Sequence, residues 1–166
     1  MIRFLCFLLI LVVPQPLYAE EGNENFRSTT FPLPRFVSLR ADEVYVRAGP
    51  GKKYPVEWVF KKASLPVEII LEYENWRKIK DYEGQSGWVH HSLLSGKRTA
   101  IVKADGYTPV YKSKSWNNGL SVKLEQKVVV ELTECERELC KINAAGFVGW
   151  IEKSALWGVY VHEKFD

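Results

Sequence analysis

The chain has 166 residues, with 23 basic against 20 acidic side chains, a formal charge of +3 and an aromatic share of 13%. The balance is mild, the signs are interspersed and there is no basic block, which excludes an electrostatic nucleic-acid footprint. Length alone suggests one domain, but an internal repeat divides the chain into two.

In chain order, Met1-Ile2-Arg3, the apolar run 4–13 and the short segment 14–19 have the layout of a secretory signal peptide, too short for a membrane span, with cleavage after Ala19. Leu17 at the −3 position leaves an uncleaved anchor open as the alternative. Loss of residues 1–19 removes one charged residue, Arg3, so the formal charge falls from +3 to +2, and Cys6 leaves with it. Residues 20–34 are polar, carry Pro32 and Pro34, lack periodicity and read as a flexible linker.

From residue 35 the apolar residues come in short runs of period two. Val44 and Val46 alternate with Tyr45 and Arg47; Val67, Ile69 and Leu71 alternate with Glu68, Ile70 and Glu72; Trp76, Lys78 and Lys80 alternate with Arg77 and Ile79. These are half-exposed strands. Turn signals separate them at Ala48-Gly49-Pro50-Gly51, Glu74-Asn75 and residues 83–87. No helical stripe exceeds two turns, and several short strands at this spacing predict a small barrel or sandwich. Strands are expected over 66–71, 76–81 and 87–90, a 3₁₀ turn over 91–94, and a strand over 96–102 that closes the first sheet.

The second half repeats the first. Gly87-Trp88-Val89 with Ser92, Leu94 and Gly96 recurs as Gly149-Trp150-Ile151 with Ser154, Leu156 and Gly158. Upstream, Val67-Glu68-Ile69 matches Val130-Glu131-Leu132, Lys78-Ile79 matches Lys141-Ile142, and Val46 matches Val110. The offset falls from 64 to 63 to 62 residues through two one-residue deletions in loops. A repeat this long means two copies of one small domain. Strands are expected within 120–132, 140–143 and 147–151, with a final strand over 158–162.

Val44-Tyr45-Val46-Arg47-Ala48-Gly49-Pro50-Gly51, Trp76-Arg77-Lys78-Ile79 and Gly87-Trp88-Val89 resemble the signatures of the bacterial SH3-like domain family. The ordered pair of copies, ending in Trp157-Gly158-Val159-Tyr160, is similar to an exported two-copy family of Gram-negative bacteria. The resemblance implies an all-β fold: two tandem small SH3-like β-barrels after a signal peptide. The divisions are residues 1–19, signal peptide; 20–34, linker; 35–102, first barrel; and 103–166, second barrel. It places an RT-like loop over 48–62, an n-Src-like turn over 72–75, and structural roles at Gly49, Pro50, Gly51, Trp88 and Trp150. With almost no linker between them, the barrels are expected to form one rigid unit, and Trp157, which has no aromatic counterpart at Ser95, is placed at their interface.

Cys135 and Cys140 match Glu72 and Arg77, which flank a strand–strand turn, so they are expected to face each other and form a disulfide in an oxidising compartment. A redox pair or a metal site is the alternative; four intervening residues is not the redox spacing, and no His is near in sequence. His90 and His91 lack an accompanying nucleophile and read as surface residues. The acidic turn Glu134, Glu136, Glu138 lacks the glycine of a calcium loop and reads as solvated. No catalytic residue, metal or cofactor is expected.

The position of Trp76 after the n-Src-like turn corresponds to the ligand-stacking tryptophan of eukaryotic SH3 domains, and Tyr45, Tyr54 and Trp58 are expected beside it. Such a groove holds extended peptides. The expected function is non-enzymatic: an exported binding or scaffold protein, periplasmic or secreted, recognising a cell-wall peptide (peptidoglycan) or an envelope protein. The first barrel would hold the ligand and the second would be mainly structural. An accessory or inhibitor of a peptidoglycan hydrolase, or a secreted host-interaction factor, is the alternative.

Overall fold

A computed structural model describes residues 29–166. The expected signal peptide and its cleavage site, and most of the linker, lie outside the described residues. The first copy forms β1 (Arg35–Leu39), β2 (Val44–Arg47), β3 (Val56–Phe60), β4 (Pro66–Tyr73), β5 (Trp76–Lys80), β6 (Ser86–His90) and β7 (Leu94–Ser95). The second forms β8 (Thr99–Val102), β9 (Tyr107–Tyr111), β10 (Leu120–Glu125), β11 (Val129–Cys135), β12 (Leu139–Ala144), β13 (Phe147–Glu152) and β14 (Leu156–Trp157). Each set makes a seven-stranded antiparallel sheet, in the orders β3-β2-β6-β5-β4-β1-β7 and β10-β9-β13-β12-β11-β8-β14. The two orders are the same walk through equivalent strands, so the fold is two tandem SH3-like barrels.

Equivalent positions fill the two cores. Val46, Val67, Ile69, Ile79, Val89 and Leu94 in the first answer to Val110, Val130, Leu132, Ile142, Ile151 and Leu156 in the second. The repeated Gly before Trp has a steric cause. A Cβ on Gly87 would meet Val46 at 2.5 Å, and one on Gly149 would meet the Tyr111 carbonyl oxygen at 2.6 Å, so the β6 and β13 backbones approach their neighbours in a way only glycine allows.

Three strand assignments differ from the sequence expectation. Residues 48–62 contain β3, which pairs along β2. Thr99–Val102 does not close the first sheet; β7 does so against β1, while β8 pairs with β11 and β14 and opens the second sheet. Residues 158–162 form no strand, because Gly158 turns the chain with φ at +118° and sends it out as a C-terminal strap. The alternation expected in β4 also breaks. A bulge between Ile69 and Leu71, repeated between Leu132 and Glu134, inserts one residue and reverses the parity beyond it. Leu71 is therefore only half-buried, while Glu72 and Cys135 turn inward.

The inward positions carry opposite chemistries in the two copies. Cys135 and Cys140 stand in register across the β11–β12 hairpin and form the disulfide, with a Cα–Cα distance of 4.1 Å. Glu72 and Arg77 stand in the same register across β4–β5 and form a buried ion pair at 3.2 Å. Glu72 also accepts hydrogen bonds from Arg35 at 2.5 Å and from the Thr29 backbone and hydroxyl at 2.8 Å. At the matching place in the second barrel the strap covers the disulfide: the Phe165 and Cys135 backbones bond reciprocally, and Arg98 lies over the Phe165 ring.

The barrels touch through an aromatic seam. Trp157 stands edge to face against Phe36 at 5.1 Å and Tyr82 at 5.8 Å, as the sequence placed it. Tyr160 of the strap lies on Phe36 at 4.6 Å and donates its hydroxyl to Glu68 at 2.8 Å. All of β8 is buried: Ala100 and Val102 face their own core, while Ile101 borders a cavity with Phe60, Pro66 and Tyr82 of the first barrel.

Candidate ligand groove

Residues opposite one another in an antiparallel pair share a face. Trp76 is opposite His90, Lys78 opposite Trp88, and Trp88 opposite Arg47, so these side chains stand on the face of the first sheet away from its core. The burial of β5 alternates as its sequence implies, with Arg77 and Ile79 inside and Trp76, Lys78 and Lys80 half-exposed. In the second sheet the same face carries Leu139 opposite Glu152, Lys141 opposite Trp150, and Trp150 opposite Tyr111.

The first-barrel aromatics occupy distinct settings. Trp76 meets His90 edge to face at 5.5 Å, and His90 stands against His91 at 4.8 Å. Burial, then the nearby charges of His91, Lys52 and Arg77, pushes the His90 imidazole below its ordinary value. Tyr54 folds its ring over Gly49, where a Cβ would come within 2.5 Å of it, and Arg47 donates to the Tyr54 carbonyl at 2.8 Å, drawing the loop over its own sheet. Gly51 lies under the same ring, and Pro50 is half-buried between the two glycines. Trp58 stands opposite Val46, faces the core and meets Phe60; its buried indole Nε1 has no hydrogen-bond partner. Tyr45 is 46% exposed and donates to Glu43 at 2.7 Å. Trp88 and Trp150 are 8% and 7% exposed on the outer faces.

On the second barrel the equivalent face opens into a cavity of about 560 Å³. Leu139 stands where the first copy has Trp76, and Glu152 where it has His90, so smaller and more flexible side chains replace an indole and an imidazole. Lys114 and Trp116, from the loop between β9 and β10, border one side, and Arg137 and Glu138, from the β11–β12 turn, border the other. A second cavity of about 350 Å³ continues past Trp116 and Glu152 to Thr108, Pro109 and Tyr111.

Trp116 packs on one side against a neighbouring ring. Its ring meets Tyr111 at 4.2 Å, edge to face, and remains 37% exposed. Its backbone has φ at +60°, a conformation that costs an L residue about 1–3 kcal/mol and that concentrates at binding and active sites. Lys114 lies 4.3 Å over the Trp150 ring, pairs with Glu134 at 3.2 Å and bonds Glu136, and the Glu136 bond holds its ammonium above the ordinary value.

Lys153 occupies the position of His91 and is 5% exposed. Its ammonium donates to the backbone carbonyls of Glu136, Arg137, Val161 and Glu163, at 2.5 to 3.2 Å. It ties the turn beside the groove to the strap. Burial pushes it below the ordinary lysine value, against the opposing charge of Glu163. Sequence reasoning passed over Lys153, Trp116 and Leu139; the repeat offset from His91 and Trp76 was the signal that points to the first and the last.

The fold is a tandem of two small SH3-like barrels, each with a loop-bounded outer face. The bacterial SH3 domain family matches twice, at residues 40–96 and 105–158, and the chain belongs to that family of binding domains. A curated relative, the CRISPR system Cmr subunit Cmr2 of Pyrococcus furiosus, is 27% identical over 136 residues, which is 78% of this chain and 14% of that protein. The chain thus spans about one-seventh of that relative's length. The solved structures of NlpC1 and NlpC2 from Trichomonas vaginalis are similar at a TM-score of 0.35 each, with 13% and 12% identity, over 81% and 77% of this chain and 49% of each of theirs.

Proposed function

We propose that the chain is a non-enzymatic, exported binding or scaffold protein of the cell envelope, which takes an extended peptide of the wall or of an envelope protein at the loop ends of its barrels. The groove bordered by Trp116, Leu139 and Glu152 is the main site. The observation that carries this reading is the contrast between equivalent faces: the first is occupied by its own Trp76 and His90, the second is open over about 560 Å³. Exposed, rigidly held aromatics in such clefts supply contact area at low entropy cost. Of the first-barrel set Tyr45, Tyr54, Trp58 and Trp76, the outward Trp76 serves as a subsidiary contact. The Cys135–Cys140 disulfide supports a periplasmic or extracellular location. Family membership supports a cell-wall component as the ligand.

Co-sedimentation of the protein with purified peptidoglycan, beside capture from an envelope extract, tests this. Retention by one of the two that is lost in a folded Trp116→Ala variant is expected. Retention unchanged by Trp116→Ala places the site elsewhere.

A further inference from the structure

The two barrels close the same end of their cores differently. In the second barrel the strap lies across it. Val159 and Phe165 pack on the core, and the Glu163 carboxylate bonds Arg98 with both oxygens. The carbonyls of Val161 and Glu163 accept from the Lys153 ammonium at 3.2 and 2.7 Å. In the first barrel Arg35 and His91 hold the positions of Arg98 and Lys153. Arg35 lies over the Phe31 ring at 5.3 Å, as Arg98 lies over Phe165 at 4.9 Å. No described residue of the first barrel takes the places of Val159 and Glu163. Lys97, the counterpart of Val159, turns instead to Glu131 of the second barrel at 2.9 Å, because the chain there runs on into β8. A cavity of about 470 Å³ remains, bordered by Val37, Ile69 and Leu94 of the core.

Its charge is as incomplete as its packing. Arg35, Arg77 and His91 border the cavity, and no carboxylate is among the described residues that do so. The fully buried Glu72 is shared by both guanidiniums. Burial, helped by the Arg35 charge, pushes the Arg77 guanidinium below its ordinary value although Glu72 opposes it. The exposed His91 ring meets that of His90 at 4.8 Å, and its nitrogens have no hydrogen-bond partner among the described residues.

We infer that this end of the first barrel is a second binding site, which receives an extended segment of a partner protein carrying an aliphatic side chain and, four residues on, a carboxylate. The spacing is that of Val159 and Glu163 in the strap, which supplies the equivalent segment to the second barrel from its own chain. The aliphatic group fills the cavity against Val37 and Leu94. The carboxylate takes charge-assisted bonds from the guanidiniums, whose planar forks suit it. The His91 ring donates to a carbonyl of the segment, as Lys153 does to those of the strap. This site lies on the first barrel and does not depend on the groove beside Trp116.

The test is an amide-resolved NMR titration of the purified protein with a blocked heptapeptide of the sequence of residues 158–164, beside the same peptide with its glutamate replaced by glutamine. The glutamate peptide is expected to shift the amides of Val37, Ile69, His91 and Ser95. Those of Ala100, Leu132 and Lys153, already covered by the strap, should stay in place. The glutamine peptide should bind about tenfold more weakly, as loss of a charged hydrogen bond implies. H91E, checked for an unchanged melting curve, supplies the missing carboxylate from the protein itself and should abolish the preference for the glutamate peptide. No shift in the first barrel, equal binding of the two peptides, or a preference that survives in H91E overturns the inference. Shifts confined to the second barrel also overturn it, since the peptide would then only displace the strap.

Discussion

Substituting Glu72 by glutamine separates the two ways in which the barrels seal the same hairpin. The Glu72 side chain is fully buried and faces Arg35, Arg77 and Thr29. Glutamine keeps the shape but replaces an acceptor oxygen with a donor amide aimed at guanidinium donors, and it leaves two cations without their anion. Breaking a buried pair from one side costs about 3–5 kcal/mol. The Arg35 side chain is 18% exposed and can turn to water, which places the expected loss near the lower end, about 3 kcal/mol. Burial alone would push the Glu72 carboxyl up. Hydrogen bonds from Arg35 and Thr29, with the charges of Arg35 and Arg77, outweigh it and hold the carboxyl below its ordinary value. A depressed folded value means stability that is present at neutral pH and lost as pH falls through that value. The wild type should therefore lose stability in acid, below about pH 4, through a limb that Glu72→Gln lacks. Urea unfolding from pH 7 to pH 2, with hydrogen exchange resolving β4–β5 from β11–β12, measures both. A loss under about 1 kcal/mol at pH 7, the range of exposed pairs, or an unchanged acid limb, would refute the account of Glu72.

Three further outcomes are expected. Reduction of Cys135–Cys140 should cost the second barrel about 2 kcal/mol by loop-closure entropy and leave hydrogen exchange in β4–β5 unchanged, while Glu72→Cys with Arg77→Cys should form a second disulfide, detected as loss of free thiol. Tyr160→Phe removes the bond to Glu68 and should cost about 1–3 kcal/mol; burial, then the Glu68 hydrogen bond, pushes this phenol far up, so an ultraviolet titration should show one tyrosine absent from the ordinary transition near pH 10. Trp76→Ala should leave the melting curve nearly intact and weaken ligand capture less than Trp116→Ala does, whereas Trp88→Ala should cost about 3 kcal/mol or more in melting experiments.

Much of this architecture is legible in the residues. The Gly-Trp repeat, the alternation of Trp76 to Lys80, the facing cysteines and the interfacial Trp157 follow from period, offset and turn chemistry. The inward turn of Glu72 does not. A single inserted residue at a bulge reverses the parity of everything after it, and the side chains around Ile70 and Thr133 do not announce it. The role of Thr99–Val102 was equally hidden, because an apolar run suits the last strand of one barrel or the first of the next; its pairing with β11 and β14 decides between them. The site was half visible. The alternation of β5 placed Trp76 on its outer face, where it stands, but whether that face is filled or open depends on side-chain volume, and Leu139 with Glu152 leaves open what Trp76 with His90 occupies. Lys153 was silent because its partners are backbone carbonyls brought together by a turn and a strap far apart in sequence.

The central claim is that the open groove of the second barrel holds the ligand. A chemical-shift map of the protein with soluble peptidoglycan fragments, or with the envelope protein it captures, tests this most directly. The account predicts the largest shifts at Trp116, Leu139 and Glu152, with smaller ones at Trp76. Shifts confined to the aromatic seam around Phe36, Trp157 and Tyr160, or to the first barrel alone, would contradict it.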